Sequence, residues 1–193
     1  MSTSLHSLRR SLRSQRRQVS IFEHRQSEQR VLTHLIKMPR FQHANKIGIY
    51  LNAFGEIHTR KIIEYCFKKG KKVYLPMICN MSQKLVWVSI SRDQYRNQCF
   101  AYHPLGMKEP MASRGCNVTV LDLILMPLLA CDSSGTRIGM GGGYYDRTLA
   151  QAAQYPYRLG LAHDFQFIPS RLKREKWDQP LNALVTPTKI HYF

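Results

Sequence analysis

Apolar positions along this chain fall into two rhythms. Residues 121–126, Leu-Asp-Leu-Ile-Leu-Met, are short and nearly continuously apolar, which suits a strand buried on both faces of a parallel sheet. Runs at 46–51, 72–76, 158–162 and 182–186 predict further strands, and the alternation at 85–90 predicts another. Helical spacing appears first at 5–18, where Leu5, Leu8 and Leu12 share a side. Ser20 and Glu23 form a capping-box pattern, so a second helix starts at Ile21, presents Val31, Leu32, Leu35 and Ile36 on one face, and stops at Met38-Pro39. A third carries Ile57, Ile62, Ile63 and Tyr65 and is closed by Lys68-Lys69-Gly70, making 46–76 a βαβ unit. A fourth is expected over 146–154, ended by Tyr155-Pro156. Strands alternating with helices argue an α/β fold: a three-layer, Rossmann-like domain with a mostly parallel sheet and helices on both faces. The expected organisation is one domain over 1–193, with residues 1–40 forming an N-terminal helical hairpin packed on it.

Charge changes the picture more than composition does. Lysine and arginine number 29 against 12 aspartates and glutamates, a net +17, so an anionic partner is expected. The five cysteines show no CxxC and no metal spacing, which suggests reduced thiols in a cytoplasm. The basic N-terminus is followed by no apolar signal region, and no run approaches the roughly 20 apolar residues of a membrane span. A cytoplasmic monomer acting on a small molecule, without membrane contact, is the expectation.

The candidate chemistry lies at 137–146, Arg-Ile-Gly-Met-Gly-Gly-Gly-Tyr-Tyr-Asp, after the turn residues Asp132 to Thr136. Four glycines in five positions let backbone N–H groups approach an anion without obstruction by Cβ atoms, and a following helix adds its positive end. No lysine follows in P-loop register, and Tyr144 occupies the place of the third glycine of a dinucleotide fingerprint, so neither common motif fits.

The stretch instead resembles the glycine loop of the 5-formyltetrahydrofolate cyclo-ligase family: an apolar strand ending in Pro, here Met126-Pro127, then R-[IL]-G-x-G-x-G-Y-Y-D. Three further segments are similar. Arg9-Arg10-Ser11-Leu12-Arg13 matches the family's K-x-x-L-R with arginine first, Tyr50 to Glu56 matches Y-x-x-x-x-x-E, and Asp178 follows Pro169 in the aspartate-bearing region. Gly106 to Pro110 is similar to G-[IL]-x-E-P, which puts Glu109 near the site.

The resemblance implies an ATP- and Mg²⁺-dependent conversion of 5-formyltetrahydrofolate to 5,10-methenyltetrahydrofolate, releasing ADP and phosphate. It implies ATP contacts from residues 9–13 (Arg9, Arg10, Ser11, Leu12, Arg13) and from Arg137, Ile138, Gly139, Met140, Gly141, Gly142, Gly143, Tyr144 and Tyr145. Folate contacts would come from Leu51, Glu56, Met140, Gly141, Gly142, Gly143 and Tyr144. Arg137, Tyr144 and Tyr145 would be catalytic, and Asp146 and Asp178 would hold the metal. Two other readings rest on the residues alone. A nucleic-acid-binding module has only the charge behind it, without a zinc-finger, RNP or KH signature. A Rossmann-type nucleotide enzyme has the strand–glycine–helix order.

Overall fold

The structure, a computed structural model, describes residues 5–152 and 155–193. Helix α1 (Leu5–Gln18) leads into α2 (Ile21–Lys37) and the short α3 (Pro39–His43). The expected capping box is formed: Ser20 accepts from the Glu23 N–H while Glu23 reaches back to the Ser20 N–H, an arrangement that stabilises a helix by about 1 kcal/mol. Strand β1 (Lys46–Gly48) and β2 (Lys72–Cys79) flank α4 (Arg60–Lys68), and β3 (Lys84–Ile90) turns back on β2. Then come α5 (Arg92–Arg96), the hairpin of β4 (Phe100–Tyr102) with β5 (Lys108–Pro110), and β6 (Leu123–Pro127). Strands β7 (Ala130–Asp132) and β8 (Arg137–Ile138) precede α6 (Tyr144–Leu149). The remainder is β9 (Tyr157–Leu161), β10 (Phe167–Ile168), β11 (Ala183–Val185) and β12 (Ile190–Tyr192).

Seven strands make the main sheet, in the order β12-β11-β9-β6-β1-β2-β3. The pairings among β11, β9, β6, β1 and β2 are parallel, and only the edge strands β12 and β3 run antiparallel. The mostly parallel α/β architecture expected from the alternation is therefore present. The continuous apolar run of the central strand has a direct cause, because successive residues serve two cores. Leu123 and Leu125 face Val31, Leu35, Phe41, Ile62 and Ile63 from α2, α3 and α4, whereas Ile124 and Met126 face Trp87, Leu121, Leu149 and Leu184. The two layers are unequal. The second face is covered by α6 and by loops bearing Leu128 and Leu181 rather than by long helices.

A small second sheet, β10-β7-β8, was not apparent in the hydrophobic pattern because its strands span only two or three residues each. Helix α1 packs on it through Leu12, against Leu129, Ala130 and Ile138. Residues 5–40 thus dock on two surfaces, α1 on the small sheet and α2 on the main one. Several expected elements differ in extent, among them the strand expected at 46–51, which ends at Gly48. The helix expected to include Ile57 begins only at Arg60, leaving Ile57 buried in a loop. The helix expected over 146–154 starts earlier and is described as Tyr144–Leu149; its expected end at Gln154 lies outside the described residues.

Candidate active site

The chain leaves β1 and β6 at the point where crossovers diverge to opposite sides, which is where open α/β sheets place their ligands. A cavity of about 590 Å³ opens there, within the range of small-molecule sites. Tyr50 and Leu51 beyond β1, Pro127 and Leu128 at the end of β6, and every residue from Thr136 to Arg147 line it.

The turn before the glycine loop is built by Asp132, whose Oδ1 accepts from the backbone N–H groups of Ser134 and Thr136, both at 2.8 Å. Oδ2 accepts from the Leu172 N–H at 2.7 Å. Burial opposes the charge of Asp132, but the N–H groups of Leu172, Thr136 and Ser134 outweigh it and hold the carboxyl below its ordinary range. The loop itself needs glycine at two places, Gly141 with φ +106° and Gly143 with φ +67°, the latter capping α6. A Cβ on Gly141 would meet nothing within 4 Å, so the backbone there borders open space. Thr148 fastens α6 to the sheet by accepting from the Leu85 N–H at 2.7 Å and donating to Tyr144 O at 2.6 Å. With six residues, α6 brings a weaker dipole than the longer helix expected from sequence, so the positive charge at the loop comes chiefly from guanidinium groups.

Arg137 is central among them. Its Nη2 donates to both Asp146 oxygens, at 3.2 and 3.1 Å, its guanidinium lies 5.2 Å from the Tyr145 ring centroid, and its buried Nε has no partner. Burial raises the Tyr145 hydroxyl's pKa, helped by the nearby Glu56 charge, so that phenol stays neutral. Two arginines of α1 grip the loop from the other side: Arg9 Nε donates to Gly139 O at 3.2 Å and Arg13 Nη2 to Met140 O at 2.8 Å. Arg9 lines the cavity, Arg13 acts on the loop from behind it, and Arg10 and Ser11 are exposed outside the lining. Leu12 lies on the same side of α1 as Arg9 and Arg16 and is buried against Leu129, Ala130 and Ile138.

At the other end of the cavity, Glu56 has only 10% of its side chain exposed. Burial pushes its carboxyl up to about 7, opposed by the Ala53 N–H bond at 3.0 Å and by Arg16. Arg16 Nη1 stands 3.7 Å from Glu56 Oε1. Arg16 was not among the site residues expected from the sequence. The signal was available in its spacing, since 9, 13 and 16 fall on one helical face. Glu109 also lines the cavity, with its Oε1 accepting from the Ile78 N–H at 2.9 Å.

Asp146 and Asp178 both border the cavity. Asp146 is held by Arg137 and by the Gln179 N–H at 3.4 Å, and Asp178 accepts from the Glu175 N–H at 2.8 Å. No cluster of three metal-ligating side chains occurs among the described residues. Trp177, 66% exposed, stands on the same rim. Acidic and basic lining residues nearly balance, with Arg9, Arg16, Lys108, Arg137, Arg147 and Lys173 facing Glu56, Glu109, Asp146, Glu175 and Asp178. The large positive surplus of the chain therefore lies mostly outside the cavity. His163 is buried against His24 and Phe165, and His58 stacks on His24 at 4.4 Å. No helix is long and apolar enough to cross a membrane among the described residues.

Comparison with known proteins bears on the whole chain. The family model of the 5-formyltetrahydrofolate cyclo-ligase family matches residues 1–187. The 5-formyltetrahydrofolate cyclo-ligase of Escherichia coli strain K12 is 32% identical over 184 residues, covering 93% of this chain and 98% of that protein. The enzyme of the same name from Haemophilus influenzae is 31% identical, covering 90% and 92%. Among solved structures, the 5,10-methenyltetrahydrofolate synthetase of Aquifex aeolicus superposes with a TM-score of 0.82 at 28% identity, covering 97% of this chain and 91% of that one. The corresponding Mycoplasma pneumoniae synthetase, at 17% identity and TM-score 0.74, shares the fold. The glycine loop, the Glu56 loop and the whole-length match converge on one conclusion: the chain belongs to the 5-formyltetrahydrofolate cyclo-ligase family and is a ligase of folate metabolism.

Proposed function

We propose that the protein converts 5-formyltetrahydrofolate to 5,10-methenyltetrahydrofolate with ATP and Mg²⁺, releasing ADP and phosphate. The observation that carries this is a single cavity that joins the glycine loop at one end to the buried Glu56 at the other. The donor sets suit both groups. The unpartnered Nε of Arg137 and the open space at Gly141 fit an anionic phosphate chain, and two carboxylates on one rim fit Mg²⁺, which favours few protein oxygens plus phosphate. When bound, Mg-ATP would supply the phosphoryl group that turns the formyl oxygen into a leaving group.

The protein's own part is positioning and charge balance. The backbone of Gly139 to Gly143 would border the phosphates, with Ile138 and Arg9 at their side and Arg13 keeping the loop in shape. Arg137 would neutralise charge developing on the transferred group, while the neutral phenol of Tyr145 beneath it and Tyr144 would orient the reacting end. Asp146 and Asp178 would hold the metal. Leu51, Glu56, Met140 and the loop glycines would hold the reduced pterin. We read the chain as a single domain working in a reducing cytoplasm, a reading supported by five free cysteines.

The test is an absorbance assay for the methenyl product with purified protein, 5-formyltetrahydrofolate and Mg-ATP. Product should form only in the complete mixture. Product formation without nucleotide, or none in the complete mixture, would overturn the proposal.

A further inference from the structure

Arg16 is the most deeply buried arginine among the described residues, at 1% exposure. Its guanidinium meets three segments that line the cavity. Nη1 is 3.7 Å from Glu56 Oε1 and donates to Leu128 O at 3.2 Å, while Nη2 lies 3.7 Å from Met140 Sδ. Its main chain takes part as well, since a Cβ on Gly55 would sit 2.4 Å from the Arg16 carbonyl oxygen. Nothing in the packing demands an arginine here. The Leu128 carbonyl already accepts from Gln166 Nε2 at 2.7 Å, and the buried Nε of Arg16 has no partner. Burial lowers the pKa of Arg16, and the adjacent Arg13 and Arg17 add to that effect. A buried, loosely paired arginine stabilises a fold less than an apolar residue of its size would.

Glu56 explains the placement. The groups facing it are Tyr50 from the end of β1 and Tyr145 from α6, both phenols held neutral by burial. His163, behind the loop, has its Nε2 3.3 Å from Gly55 O and is itself kept neutral by burial. Arg16 is the cation beside the carboxylate.

We propose that Arg16 is a positioning residue: it favours the charged form of Glu56 against burial and ties the Glu56 loop to the glycine loop through Met140. The consequence for folate rests on the proposed function. A carboxylate accepts two parallel N–H bonds from a planar amino-pyrimidinone edge, and a protonated acid cannot. Arg16 thereby joins the two ends of the cavity, gripping the loop that would hold nucleotide and charging the group that would hold the pterin.

The primary experiment needs no ligand. Full-length protein carrying ¹³C-labelled glutamate carboxyls is titrated by NMR, with the Glu56 signal identified by its loss in Glu56→Gln. The wild-type midpoint should lie near 7. In Arg16→Met, and in Arg16→Gln as the milder variant, it should rise by about one pH unit or more, and Arg16→Lys should restore most of the difference. An unchanged midpoint in a folded variant, or a lysine no better than methionine, would overturn the proposal. The second readout is calorimetric binding of 5-formyltetrahydrofolate. Arg16→Met should lose about fivefold at pH 7 and recover toward wild type at pH 9. In the Glu56→Gln background Arg16→Met should lose nothing further. Equal losses at both pH values, or additive losses in the double variant, would show that Arg16 does not act through Glu56. A wild-type protein that binds no 5-formyltetrahydrofolate would instead overturn the proposed function, and the titration would still decide the role of Arg16.

Discussion

The Arg137 guanidinium reaches both carboxylate oxygens of Asp146, at 3.2 and 3.1 Å, and so ties together the two ends of the glycine loop that separates them in sequence. Asp146 therefore has a structural partner as well as a proposed metal role. Because the Arg137 side chain is 4% exposed, replacing its anionic partner should cost stability. Asp146→Asn retains an acceptor, so about 1–3 kcal/mol is expected, read from chemical denaturation. The metal role predicts a separate effect, a higher Mg²⁺ midpoint for turnover at saturating ATP and folate. Lost stability with an unchanged midpoint would leave Asp146 with the structural role alone.

Gly141 has φ +106° with open space where a side chain would go, and so does Gly70, at φ +70° beyond the end of α4. Both should lose about 1–2 kcal/mol of stability on substitution by alanine, from backbone strain. Only Gly141→Ala should also weaken ATP binding, by about tenfold or more, since its Cβ would enter the proposed phosphate space. Equal ATP affinities in the two variants would remove Gly141 from the cradle.

Arg13 donates to Met140 O at 2.8 Å and is not part of the cavity lining. Arg13→Ala should therefore act by loosening the loop, raising the KM for ATP by about five- to tenfold, the worth of one solvent-exposed hydrogen bond. Steady-state kinetics should show a smaller change for folate. A large rise in both constants would point to a general collapse of the loop.

His163 is 4% exposed, and burial, with His24 nearby, lowers its pKa to about 4. In the unfolded chain it titrates near its ordinary value of about 6.5. Between those values the unfolded state binds more protons, so stability should be complete above about pH 6.5 and should fall on acidification toward 4. The contribution is on the order of 3 kcal/mol. His163→Gln should flatten this part of the stability–pH curve measured by denaturant melts. A slope unchanged by the substitution would assign acid sensitivity to other groups.

The features legible in the sequence were those with local causes. The capping box at Ser20, the stop at Pro39, the turn opened by Asp132 and the glycine loop depend on residues within a few positions of one another, and all are present. The apolar run at 121–126 gave a central strand because two cores on opposite faces each take alternate residues of it. Decisions that needed distant segments were not legible. The short strands β7, β8 and β10 carry too few residues for a periodicity, yet they form the platform on which α1 lies. That platform decides where the basic residues go: Arg9 and Arg16 line the cavity, Arg13 reaches the glycine loop from outside it, and Arg10 is exposed. The pairing of Arg16 with Glu56 joins residues forty positions apart. A guanidinium shows its sequence neighbours nothing of the buried carboxylate it will meet, because only packing α1 over the end of β1 removes the water that would otherwise screen both charges.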